Sequence, residues 1–241
     1  MPRRPRVTVH AMLSLDGRFD HFAGDVALYY ELVGAIPHDA VLTGSATMLA
    51  AAERESVHPT GEDPLPAAGA AVAAASTDAP LLVIVDSAGR LTRFGWLAAV
   101  PYWRGILVAC SGSTALDHLA LLDRHAIPHV EAGEERVDLG ELLDRLAADH
   151  GIERVRVDSG GVLNGALLRA RLVDEVSLVL APYAVGGRSP AGLFVADDVA
   201  GDEVDRFELV AVEQLRDGAV WLRYRMSMPY SGRDSVSHRS P

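Results

Sequence analysis

The chain of 241 residues is 49% hydrophobic, 23% charged and 6% aromatic, enough apolar content for one compact domain with a large core. All 22 basic side chains counted as Lys or Arg are arginine, which excludes pyridoxal-phosphate aldimines, Schiff-base lysines and phosphate-loop lysines, because each needs a primary amine. The 33 acidic residues set a net charge of −11 that opposes nucleic-acid binding, and the single cysteine, Cys110, excludes a disulfide framework and a multi-cysteine zinc site.

Residues 7–13 (VTVHAML) are short, apolar and β-branched and end at the turn signal SLDG, so they read as a buried strand. A helix follows from Asp25, then a strand at 39–43, a helix from Ser45, and strands at 81–86 and 105–110. A helix at 113–125, a short strand at 127–130, a helix at 138–150, a strand at 153–158, a helix at 163–170 and a strand at 174–181 continue the alternation. Strands alternating with helices predict an α/β domain with a largely parallel sheet. Two alternating runs at 206–214 and 219–226, joined by Arg-Asp-Gly, predict an antiparallel hairpin that makes the sheet mixed and offers an edge to a second subunit. Residues 1–226 thus read as one domain, with 59–79, rich in Pro, Ala and Gly, as a flexible loop and 227–241 as a disordered tail. No apolar run reaches the ~18 residues of a membrane span, and a soluble, cytoplasmic protein without a metal site is expected.

Three strand ends carry residues suited to anionic ligands: Thr43-Gly44-Ser45-Ala46-Thr47, Asp86-Ser87-Ala88-Gly89-Arg90 and Asp158-Ser159-Gly160-Gly161. In open α/β sheets ligands bind beyond the carboxyl ends of strands, where helix N-termini present free N–H groups. Gly160-Gly161 also suits a plain packing turn, and it does not match G-x-G-x-x-G, which disfavours a Rossmann dehydrogenase. No H-E-x-x-H, G-x-S-x-G or G-x-x-x-x-G-K-[ST] motif is present. Cys110, at the end of an apolar strand, reads as a small hydrophobe.

Together, SLDGR at 14–18, DAVLTGSAT at 39–47, VIVDSAGRL at 83–91, VDSGGVLNGALLRARLVDEV at 157–176 and APYAVGG at 181–187 resemble, in order and spacing, the reductase domain of the riboflavin-biosynthesis deaminase/reductases. The resemblance implies a dihydrofolate-reductase-like fold, a homodimer, and NADPH as reductant of a phosphorylated ribosylaminopyrimidine, whose sugar becomes a ribityl chain. The zinc-binding deaminase domain of that family is expected to be absent. By resemblance, Gly44, Ser45 and Thr47 open a helix toward NADPH, Ser87 and Arg90 approach the adenosine 2′-phosphate, and Gly160, Gly161, Val162 and Leu163 form the pyrophosphate turn. Ser14, Asp16, Gly17 and Arg18 match the substrate-side loop, and Pro182, Gly186 and Gly187 lie where nicotinamide and substrate should meet.

Departures from the family bear on the substrate. The usual E-G-G-P-T-L reads D-S-G-G-V-L, and paired aspartates expected after Thr47 are replaced by Ala51-Ala52. The substrate therefore stays open among the riboflavin intermediate, dihydrofolate and a secondary-metabolite imine; a catalytically silent NADPH-binding dimer is the non-enzymatic alternative. Many relatives carry lysine where this chain has His10 and Arg18. Arginine does not readily donate a proton, which leaves His10, with Asp16, as the expected catalytic pair; a hydrogen-bonded core histidine is the competing reading of His10.

Overall fold

The computed structural model describes residues 4–54, 78–187, 192–198 and 204–227. Nine strands form one sheet: β1 (Arg6–Leu13), β2 (Ala40–Gly44), β3 (Leu81–Val85), β4 (Gly105–Cys110), β5 (His129–Glu131), β6 (Arg154–Val157), β7 (Glu175–Leu180), β8 (Phe207–Gln214) and β9 (Val220–Met226). Their order is β5-β4-β3-β2-β6-β1-β7-β9-β8. Pairing is parallel from β5 to β7 and antiparallel where β9 joins β7 and β8. This is the mixed, mostly parallel sheet that the sequence predicts, including the terminal antiparallel hairpin. The hairpin turns at Arg216–Gly218, with Asp217 and Gly218 at φ 56° and 79°, the left-handed conformation a tight connection demands. The predicted loop falls almost wholly, and the predicted tail all but its first residue, outside the described residues.

Six helices connect the described strands: α1 (Val26–Val33), α2 (Ser45–Arg54), α3 (Gly95–Ala98), α4 (Leu116–Arg124), α5 (Leu139–His150) and α6 (Gly161–Arg169). Asp25 caps α1 by accepting from the Leu28 N–H, and Asp138 caps α5 by accepting from Gly140 and Glu141. The fourth helix starts three residues later than its sequence suggests. Ser111 and Thr114 close their own turn through Ser111 N–H to Thr114 Oγ1 at 3.0 Å and Thr114 N–H to Ser111 O at 2.9 Å, a local bond that competes with helix. Short α3 has no sequence signal of its own; it hangs on Phe94, which is fully buried.

The two faces of the sheet differ. One is apolar throughout: Val7, Val9, Leu42, Val83, Val155 and Val157 pack under Leu142, Leu143 and Leu146 of α5 and Leu167 of α6, each large side chain worth about 1.5–3 kcal/mol of burial. The other carries an apolar patch at β2–β4 with Phe94 and Leu122 and a smaller one with Leu28, Leu32, Val179 and Trp221. Between those patches, the central strands β6 and β1 present Arg156 and His10, 2% and 1% exposed. Among the described residues no helix is long and apolar enough to cross a membrane.

Candidate active site

Beyond the carboxyl ends of β2, β3 and β6 lies a crevice of about 750 Å³, within the usual range for small-molecule sites. All nine residues expected to hold the cofactor line it: Gly44, Ser45, Thr47, Ser87, Arg90, Gly160, Gly161, Val162 and Leu163. Sequence reasoning missed Ser113, Glu135 and Arg136 on the same walls, and gave Asp86 and Ser159 no role beyond membership of the strand-end segments. A larger groove of about 900 Å³ sits at the opposite, amino-terminal ends of the strands; Arg4 and Arg171 there are paired with Asp174 and Asp205.

The crevice is braced by side chains from turns far apart in sequence. Ser159 Oγ accepts the Gly44 N–H at 3.2 Å and lies 3.1 Å from Thr47 Oγ1, which accepts the Gly160 N–H at 3.3 Å. Arg90 donates to Ser45 Oγ at 3.0 Å, and Ser87 Oγ accepts the Val137 N–H at 3.0 Å. The adjacent glycines serve different ends. A Cβ on Gly161 would stand 2.2 Å from Gly192 O and 2.7 Å from Val195 Cγ2, so this glycine admits the 192–198 segment, whose Val195 N–H donates to Gly161 O at 2.8 Å. A Cβ on Gly160 would find nothing nearer than Thr47 Oγ1 at 4.0 Å. Gly160 thus leaves open space on the crevice side, just before the free N–H groups of the first turn of α6.

The substrate-side residues gather at the neighbouring ends of β1 and β7. Asp16 accepts the Ser14 hydroxyl at 2.7 Å, the Val185 N–H at 3.0 Å and the Gly186 N–H at 2.7 Å. These bonds, led by Val185, hold its carboxyl well below the usual carboxylate range. Gly17 and Gly186 turn with φ 78° and 70°, Arg18 donates to Gly187 O at 2.7 Å, and Pro182 lies beside the hairpin turn at Gly218. Asp16 therefore ties the 14–18 turn to the 183–187 loop, and a carboxylate so strongly held has no proton to give near neutral pH.

His10 is a core residue. Its Nδ1 lies 3.0 Å from Ser177 Oγ, which also accepts the Trp221 Nε1–H at 2.7 Å, and its ring stacks on Tyr29 at 4.4 Å. Burial, reinforced by the Arg156 guanidinium, lowers its pKa to about 4, so the ring is neutral at physiological pH. The core reading fits this geometry, whereas an imidazolium proton donor does not. Asp158 behaves oppositely: a third of its side chain is open, yet surrounding protein raises its pKa despite opposition from Arg156. Cys110 is buried, its thiol pushed up to about 11 by burial, which makes it inert. Among the described residues no cluster of His, Cys, Asp and Glu is fit to hold a metal.

A mixed α/β sheet with a glycine-lined crevice beyond the carboxyl ends of its parallel strands has the architecture in which open α/β sheets carry small-molecule sites. The chain belongs to the RibD C-terminal domain family, whose model matches residues 5–221. It is 33% identical over 216 residues, 84% of this chain and 87% of the relative, to the 2,5-diamino-6-ribosylamino-4(3H)-pyrimidinone 5′-phosphate reductase of Methanothermobacter thermautotrophicus. Among solved structures, a pyrimidine reductase-like protein of Corynebacterium diphtheriae superposes with a TM-score of 0.68 at 18% identity, covering 93% of this chain and 92% of the other. RibD of Acinetobacter baumannii gives 0.67 at 25% identity, covering 93% of this chain and 58% of that longer one.

Proposed function

We propose that this protein is an NADPH-dependent reductase of the riboflavin pathway, acting in the cytoplasm as a homodimer on a 5-phosphoribosylaminopyrimidine. The observation that carries the reading is the convergence of nine expected cofactor residues on one crevice. The residues suit the cofactor: Gly160 leaves room for close approach of a pyrophosphate, the first turn of α6 offers N–H donors, and Arg90 offers a planar fork for a 2′-phosphate. When bound, NADPH supplies the hydride, delivered to the imine carbon of the ring-opened sugar-amine linkage.

The protein's own task is to place that carbon, exclude water and provide a proton for the nitrogen. Asp16 acts by positioning, locking the loop over the ends of β1 and β7. Asp158, with its raised proton affinity and open face beside the glycine turn, is the group suited to hold the proton. His10 supports the strand beneath. Exposed Leu209, Val210 and Val212 on the edge strand β8 favour the dimer. Ala51 and Ala52 in α2 favour a second reading, the same chemistry on another heterocyclic imine.

Absorbance at 340 nm with NADPH and, in parallel, 5-amino-6-(5-phosphoribosylamino)uracil, its 2,5-diaminopyrimidinone counterpart and dihydrofolate tests both readings. Turnover of either phosphoribosyl compound is expected. NADPH binding without turnover of any of the three would overturn the proposal.

A further inference from the structure

Arg156 is the least explained charge in the described structure. It sits in the middle of the central strand β6, paired in register with Thr8 of β1 and Val41 of β2, and is 2% exposed. Its Nε and Nη1 are sealed from solvent without a hydrogen-bond partner. Its Nη2 lies 3.8 Å from Asp158 Oδ2, near enough for charge attraction and too far for a hydrogen bond. A guanidinium cannot escape burial by deprotonating, and a buried charge with so few partners is costly. Such groups persist where a ligand completes them.

The surroundings define the ligand. Asp158, which directly precedes the Ser159-Gly160-Gly161 turn, opens a third of its side chain, and Nη2 lies 3.8 Å behind its carboxylate. Nearby α1 brings Tyr29, stacked on His10, and Tyr30, which meets Tyr29 edge-on at 5.2 Å; aromatic walls suit a flat ring. A phosphate dianion fits poorly: it wants several donors, and here it would meet a guanidinium edge that already has a carboxylate 3.8 Å away. The NH2 group of Nη2 beside tyrosine rings matches a neutral acceptor better than an anion.

We infer that Arg156 is the ring-binding residue of the site, its Nη2–H donating to a carbonyl oxygen of the substrate's pyrimidine ring while Asp158 stands beside the reacting nitrogen. The inference rests on the reductase reading and deepens it.

Calorimetric titration of the full-length protein with three probes tests it: NADPH, 5,6-diaminouracil as the ring alone and ribose 5-phosphate as the sugar phosphate alone. Arg156→Met is expected to weaken 5,6-diaminouracil at least 30-fold, while NADPH and ribose 5-phosphate stay within twofold. It is also expected to melt no lower than wild type, because an apolar side chain replaces an unpaired buried charge. Arg156→Lys, which keeps a donor, should recover part of the ring affinity. Equal ring affinity in wild type and Arg156→Met would overturn the inference, as would a loss confined to ribose 5-phosphate. Should Arg156→Met melt far below wild type, wild-type protein decides: 4,5-diaminopyrimidine, which lacks the ring carbonyls, must bind at least 30-fold more weakly than 5,6-diaminouracil, and equal binding refutes the assignment. Wild-type protein that binds NADPH but no pyrimidine fragment would instead refute the functional reading itself.

Discussion

The two adjacent glycines of the 158–161 turn should respond oppositely to the same added methyl. At Gly161 a Cβ would stand 2.2 Å from Gly192 O and 2.7 Å from Val195 Cγ2, so backbone must retreat by about 1 Å to restore ordinary contact. Overpacking of this kind costs about 1–3 kcal/mol, which for a domain of this size lowers Tm by about 2–12 °C. At Gly160 the same methyl has no neighbour closer than 4.0 Å, and φ −76°, ψ 172° suits any residue. Gly160→Ala should therefore raise stability by about 0.4–1 kcal/mol through the unfolded chain. That methyl also occupies the space assigned to the pyrophosphate, and the same ~1–3 kcal/mol of crowding predicts NADPH affinity about 5- to 150-fold weaker. Thermal melts and NADPH fluorescence titrations of both variants measure the two effects. A Gly160→Ala protein that binds NADPH like wild type would refute the placement of the pyrophosphate against this turn.

Acid should expose the buried histidine. The native His10 ring stays neutral down to about pH 4, while the unfolded ring gains a proton near its ordinary 6.5, so stability is full above that value and falls as pH drops toward 4, by about 3 kcal/mol for this group. His38 and His118, also lowered by burial, add to the trend; urea melts at pH 7.5 and 4.5 should show a smaller difference in His10→Gln than in wild type. Arg90→Ala should reduce the preference for NADPH over NADH about 10- to 100-fold, by removing a charged hydrogen bond to the 2′-phosphate; steady-state KM values for both cofactors check this. Val212→Lys on the outer strand should yield monomers by light scattering, and a wild-type monomer would count against the dimer.

The alternation of strands and helices was legible because each parallel strand is a short apolar run bounded by turn residues, as in Leu81–Val85. The crevice was legible for a related reason. Its residues cluster at three strand ends, and parallel pairing brings those ends together. Arg156 escaped notice because, Asp158 apart, its neighbours His10 and Tyr29 come from segments distant in sequence, His10 being brought beside it only by the pairing of β6 with β1. One signal was present: in Arg154–Val157 the period-two alternation sends Val155 and Val157 to the apolar face and Arg156 to the other. A cation facing inward on a central strand is rarely innocent. His10 misled for the complementary reason, since a sequence shows which face a side chain takes but not whether that face is dry.

The polar stretch between two apolar patches lets this domain change what it holds without changing how it stands. Valines and leucines of the continuous face carry the packing, while Arg156, Asp158 and the tyrosines of α1 lie across the sheet from them, sharing no core contact set. Substitutions separated in this way add independently, so drift toward a new heterocycle, or its deliberate engineering, has a surface of its own on which to proceed.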